Sequence, residues 1–148
     1  MMLRTLAALA KVDGRVCALL EPIALYMTKD LHEAGDGGWL TEYLAPDQAM
    51  TLGEGRVYGE GNDDLVIFTF GNGVPMSLRA ARAIEEKHRW KVRVCDLRWL
   101  KPLNEDWIAR HADEIGTVLV VDEGRRSGGL SEQLFTVLDE RCATSRAS

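Results

Sequence analysis

From Asp64 onward the chain alternates between continuous apolar runs and stretches whose apolar residues recur every three or four positions. The runs are DLVIFTF (64–70), KVRVCDLRWL (91–100) and TVLVVDE (117–123). Near-continuous apolarity marks strands that are buried on both faces. Between the first two runs, Val74, Leu78, Ala81 and Ile84 gather on one side of a predicted helix over 74–89. Arg79, Arg82, Glu86 and Arg89 gather on the other side, and Glu85 interrupts the division. Pro75 suits the first turn of that helix, where its missing N–H costs little. EDWIARHADEI (105–115) predicts a second helix with Asn104 as its N-cap, and LSEQLFTVLDERC (130–142) a third, started by Ser131. Strands flanked by helices at this spacing predict an α/β fold with a parallel sheet covered on both faces.

The first sixty residues have a different texture. A short helix over Leu3–Ala10 leads to a predicted strand, RVCALLEP (15–22). The stretch from Met27 to Gly55 is rich in Gly, Asp and single aromatics, and reads as an extended connector docked by Trp39, Tyr43 and Leu44. Structureless loops of that length are uncommon inside one compact domain, so a linker between two domains is expected. There are no internal repeats and no low-complexity tracts.

At 148 residues, 46% hydrophobic and 28% charged, the chain is long and apolar enough for one domain plus a fragment of another. A net charge of -5 argues against nucleic-acid binding, which requires a basic surface. No apolar run reaches the roughly 18–20 residues needed to span a bilayer. The apolar run after Arg4 soon meets the strand-like VCALL, which points to a structural helix rather than a secretory leader. Cys17, Cys95 and Cys142 are odd in number and far apart, with no CxxC. That spacing excludes a zinc finger, makes a disulfide framework unexpected and fits a reducing cytoplasm.

Several patterns could carry chemistry. FGNGVPM places Gly71 and Gly73 between a strand and a helix, with Asp96 ending the next strand, as in a dinucleotide fingerprint. Met76 occupies the third glycine position and would block close helix–strand approach, so a plain turn is favoured. GDGGW (35–39), followed by Asn62, has the spacing of a magnesium–diphosphate motif. The buried strands that motif requires are missing on both sides, which makes it a weak signal. EGRRSGGLSE offers Arg125 and Arg126 beside Gly128 and Gly129 at a helix start. That turn could hold an anion, present an arginine, or only reverse the chain; the last is favoured. His32, His88 and His111 share no metal-ligand spacing, and most of them are expected on the surface. Glu85–Glu86 and Glu105–Asp106 read as solvated helix faces, and Trp90, Trp99 and Trp107 as packing residues. There is no GxSxG.

Taken in order, VIFTFGNG, SLRAARAIEE, VRVCDLRWLKPLN and VLVVDEGRRSGGLSEQL resemble the C-terminal domain of the transketolase superfamily. The resemblance is strongest to the beta-type, or fused alpha–beta, decarboxylating component of thiamine diphosphate-dependent 2-oxoacid dehydrogenase complexes. It implies a three-layer αβα sandwich on a mostly parallel sheet that lacks its last strand. Residues 1–26 would be a remnant of the preceding pyrimidine-binding domain, 27–61 an extended linker, and 62–148 a truncated C-terminal-like domain. VCALLEPIALY carries the first of these assignments; the second places GDGGW in the linker, away from any cofactor.

In the family, thiamine diphosphate and Mg²⁺ sit in other domains, and the acyl group passes to a lipoyl arm of a partner acyltransferase. The resemblance therefore assigns this chain no catalytic, cofactor-binding or metal residue; Glu21 matches no activating glutamate. The chain alone is expected to be inactive and to serve subunit association, with Arg125, Arg126, Gly128 and Gly129 as an interface turn. Expected partners are the remaining domains or subunits of a parent enzyme, a lipoyl acyltransferase and further copies of the chain, in the cytoplasm. The alternatives are a Rossmann-like nucleotide- or phosphate-binding module built on Gly71, Gly73 or the Gly128 turn, and a free-standing interaction domain.

Overall fold

The computed structural model describes residues 2–42, 45 and 50–142. It contains α1 (Met2–Lys11), β1 (Arg56–Tyr58), β2 (Leu65–Thr69), α2 (Gly73–His88), β3 (Val92–Asp96), α3 (Glu105–Ile115), β4 (Val118–Val120) and α4 (Leu130–Cys142). The sheet order is β1-β3-β2-β4. β2 pairs in parallel with β3 and with β4, and β1 pairs antiparallel with β3. The expected α/β fold on a mostly parallel sheet is the one observed. No strand follows α4 among the described residues.

The apolar runs become strands because each strand side has its own cover. Leu65, Ile67, Val92 and Val94 face α2 through Ala81, Leu78 and Ile84. Val66, Phe68 and Cys95 face α3 and α4 through Trp107, Ile108, Ala112, Leu134 and Val137. Phe68 meets Trp107 edge-on with ring centroids 6.4 Å apart. Burying such side chains stabilises the fold by about 1.5–3 kcal/mol each. α3 begins as expected, with the Asn104 side chain accepting from the Trp107 amide at 3.0 Å. α2 ends one residue early, at His88, with Arg89 in the left-handed region at φ 62°.

Three expectations are corrected. The strand predicted at Arg15–Pro22 is absent: residues 14–22 have no regular structure and lie largely exposed. Its β-forming pattern has no neighbouring strand to take up the backbone groups, and an isolated strand is not stable. Conversely, Arg56–Tyr58, placed in the linker, forms the edge strand β1; Arg56 pairs with Asp96 and Tyr58 with Val94. Three residues between glycines leave no apolar run to read. Trp90 sits at the turn after α2 and is 49% exposed, whereas Trp99 and Trp107 are buried as expected. In the connector, Trp39 is half-buried and its amide donates to the Lys29 carbonyl at 3.0 Å, while Tyr43 and Leu44 lie outside the described residues.

His111 is the histidine that leaves the surface. It lies between α3 and the sheet, edge-on to Trp107 at 4.5 Å between ring centroids. Its Nδ1 is 3.0 Å from an Arg93 nitrogen. Arg93 itself is buried on β3, paired with Glu114 and donating to the Asn62 carbonyl at 3.2 Å. A guanidinium only donates, so His111 must accept through an unprotonated Nδ1. Burial holds the imidazole pKa below its ordinary value; Arg93 acts in the same direction and Glu114 opposes it.

The unfolded chain therefore protonates His111 first. The stability it contributes is full above the ordinary value of 6.5 and is lost as pH falls through the lower folded value. Urea midpoints are expected to drop between about pH 7.5 and about pH 5.5, and to drop less in His111→Gln. An identical slope in that variant would remove His111 from the effect.

Candidate functional site

The connection β2→α2 leaves the sheet on one face and β4→α4 leaves it on the other, although β2 and β4 are neighbours. The two turns therefore diverge at the carboxyl ends of the strands. In open parallel sheets that divergence is where ligands bind.

Gly71 and Gly73 make the first turn. Gly71 has φ 55°, and a Cβ on Gly73 would fall 2.0 Å from Thr69 Oγ1. Close approach is thus provided by Gly73, and Met76, expected to block it, points away and is half-exposed. The Gly73 and Val74 amides already donate to the Phe70 and Gly71 carbonyls, at 3.0 and 3.2 Å, and Pro75 has no N–H. Asp96, the would-be ribose acid, lies beside Thr69 in register and turns its carboxylate to Arg98 Nε at 3.2 Å. Burial raises its pKa, against the pull of Arg98 and Arg56.

The second turn is clamped by carboxylates. Asp122 accepts from the Gly124 amide at 2.7 Å and from the Ser131 amide, at the head of α4, at 3.1 Å. Glu132 reaches back to the Gly128 amide at 2.8 Å, and Gly128 takes φ 72°. A Cβ on Gly129 would come 3.2 Å from the Arg125 carbonyl. Asn72 joins the two turns through a 3.2 Å bond to Glu123. A phosphate here would face Asp122, Glu123 and Glu132, with the helix-start donors already engaged, so the geometry disfavours an anion. Arg125 and Arg126 project outward and make no side-chain hydrogen bond or ion pair among the described residues.

The other candidates are drawn into structural roles. Asp36 accepts from the amides of Leu31, His32, Glu33 and Gly38 at 2.7–2.9 Å. Those amides, Gly38 first, hold its carboxyl well below the usual carboxylate range. Asp30 binds the Gly35 and Gly37 amides. Asn62 donates to the Val92 carbonyl at 2.9 Å and to Glu85 at 3.3 Å. Both Asp36 oxygens are thus committed to backbone, and the Asp36–Asn62 pair does not fit a magnesium–diphosphate site. No group of three or more metal-binding side chains comes together among the described residues.

Glu105 and Asp106 each grip Arg141 at 2.9 Å, fastening α3 to α4. Glu86 pairs with Arg82, which also binds Glu33 of the connector. Cys95 is buried, its thiol pushed up to about 12 by desolvation, which makes it a packing group. His32 and His88 are exposed, as expected. The clamp by Asp122 and Glu132 was missed in the sequence, although an acid directly after a strand and another just inside a helix is a legible capping signal.

The fold and its crevice define a class: an open, mostly parallel α/β sheet with a switch point at the carboxyl ends of its strands. Residues 53–147 match the family described as "Transketolase, C-terminal domain". The chain belongs to that family. It is 33% identical over 101 residues to the 2-oxoisovalerate dehydrogenase subunit beta of Bacillus subtilis (strain 168), covering 68% of this chain and 30% of that protein. It is 34% identical over 102 residues to the pyruvate dehydrogenase E1 component subunit beta of Staphylococcus aureus (strain Mu50 / ATCC 700699), covering 68% and 31%. Among solved structures, a "Split gene transketolase, inactive beta4 tetramer" superposes with a TM-score of 0.58 at 30% identity, covering 68% of this chain and 33% of that one. The chain thus spans about a third of the length of these proteins. No described helix is long and apolar enough to cross a membrane.

Replacing Asp122 with Ala removes the acceptor for two amides. It is expected to cost about 1 kcal/mol or more of stability and to speed amide exchange across 124–131. Equilibrium unfolding and hydrogen exchange read both effects, and unchanged exchange would show the turn to be held by something else.

Proposed function

We propose that this chain is the non-catalytic C-terminal domain of a thiamine diphosphate-dependent 2-oxoacid dehydrogenase component of beta or fused alpha–beta type. Its work is subunit association and docking of a lipoyl acyltransferase partner. The observation that carries the reading is the second turn: two arginines held outward on a loop fixed by Asp122 and Glu132, with no intramolecular partner among the described residues. Ordering two cations in that way gains nothing inside the domain, because exposed charges contribute little by themselves. It does preorganise them for acidic groups on another surface. The likeness to beta subunits of two dehydrogenases supports the same reading.

In this proposal residues 1–26 belong to a preceding pyrimidine-binding domain, 27–61 link it to the C-terminal-like domain over 62–148, and the complex works in the cytoplasm as a homo-oligomer. Thiamine diphosphate and Mg²⁺ act elsewhere in the parent enzyme, where the cofactor supplies the carbanion that attacks a 2-oxo carbonyl. Asp36 and Asn62, the pair with magnesium–diphosphate spacing, are instead committed to backbone amides and to the Val92 carbonyl and Glu85.

Calorimetric titration of the chain with thiamine diphosphate and Mg²⁺ is expected to give no heat of binding; a micromolar Kd would contradict the non-catalytic reading. In an assembled enzyme, Arg125→Ala with Arg126→Ala is expected to shift the complex toward smaller species while turnover per assembled complex stays the same. Unchanged assembly with abolished turnover would put the arginines in the chemistry instead.

A further inference from the structure

Buried polar atoms in folded proteins are nearly always hydrogen-bonded, so a group of them without protein partners marks a place where something else binds. Among the described residues four buried side-chain atoms lack such a partner: Thr69 Oγ1, Asn72 Oδ1, Ser77 Oγ and Trp99 Nε1. The first three lie together at the turn from β2 into α2.

Thr69 ends β2 at 0% exposure, and Ser77 lies one turn into α2 at 3%. Thr69 alternates with Leu65 and Ile67, and so faces α2 with them. Gly73 and Ser77 share one face of the helix, because residues at i and i+4 are neighbours there. A Cβ on Gly73 would fall 2.0 Å from Thr69 Oγ1 and 3.6 Å from the Val121 carbonyl oxygen. The two hydroxyls thus border one enclosed region beneath the first turn of α2, with a carbonyl at its edge. Ser77 does not make the bond to the carbonyl four residues back that a helical serine can make.

The chemistry of this region selects its occupant. Asp122 and Glu123 on the neighbouring turn disfavour an anion. Those carboxylates are themselves engaged, with the Gly124 and Ser131 amides and with Asn72. No group of three metal-binding side chains gathers among the described residues. An apolar group would leave both hydroxyls desolvated and unbonded. What fits is a small neutral molecule that both donates and accepts. A water can accept from the Thr69 and Ser77 hydroxyls and donate to the Val121 carbonyl and Asn72 Oδ1, within the two to four polar partners that a buried water takes.

We infer that a water molecule is an integral part of this turn, bound beneath the start of α2 by the hydroxyls of Thr69 and Ser77. It ties the end of β2 to the helix that follows, at the wall of the crevice. It also accounts for a buried threonine closing a strand that is otherwise Leu-Val-Ile-Phe. The site is independent of any partner for the arginine turn.

Oxygen-17 magnetic relaxation dispersion on the full chain reads waters that stay bound for longer than the protein tumbles. Thr69→Val with Ser77→Ala removes both hydroxyls while keeping good strand and helix formers. It is expected to lower the dispersion amplitude by that of one water, with an unchanged circular dichroism spectrum. An unchanged amplitude in the folded double variant would overturn the inference. A crystal structure of the wild-type chain is expected to show one ordered water at ~2.7–2.8 Å from both hydroxyl oxygens. Hydroxyls bonded to protein acceptors instead, or no water shared between them, overturn the inference whether or not the double variant folds.

Discussion

β2 is the constraint on which the remaining elements are built. All five of its residues are buried, it pairs in parallel on both edges, and each of its faces carries a separate hydrophobic cluster. A strand in that position cannot tolerate a slip in register, because a one-residue shift would exchange its two faces. Ile67 and Leu65 must meet α2 while Val66 and Phe68 meet α3 and α4. That requirement sets which face each crossover helix covers. Because the β2→α2 connection leaves on one face and the β4→α4 connection on the other, a crevice opens between the β2 and β4 turns. The site at the carboxyl edge is thus a geometric consequence of burying one strand from both sides.

What occupies that edge follows from charge. Both turns end at helix starts, where free amides and the helix dipole would favour an anion. The chain supplies its own carboxylates instead: Asp122 and Glu132 on the second turn, and Glu123 reaching Asn72 on the first. Internal anions at helix starts convert a general anion site into a rigid platform. The platform then carries its cations, Arg125 and Arg126, on the outer side. A glycine-rich turn that resembles a phosphate loop in composition thereby presents positive charge outward to solvent, and the difference lies in where the acids sit.

Most of the fold was legible because its signals are local. The bounds of α3 and α4 follow from periodicity and from Asn104, and β2, β3 and β4 follow from apolar runs flanked by turns. What escaped depends on neighbours distant in sequence. β1 is three residues long and exists only through pairing with β3. Arg93 interrupts the β3 run with a charge, and only the fold shows Glu114, His111 and the Asn62 carbonyl enclosing it. The GDG loop carried a cofactor-like spacing, yet Asp30 and Asp36 use it to gather six backbone amides. At the crevice, the glycines and arginines were visible as residue types. Their arrangement was not, because the clamping acids act through backbone amides that no side-chain motif records.

The contrast between β1 and the segment over 15–21 separates two properties that a pattern of residues confounds. RVCALLE has the better strand composition, with five consecutive apolar side chains from Val16 to Leu20, while RVY has three residues and two flanking glycines. Yet RVY is the strand, because β3 offers it a backbone edge in register, and RVCALLE is irregular, because no described residue does. Strand formation therefore tracks the available edge more closely than the composition.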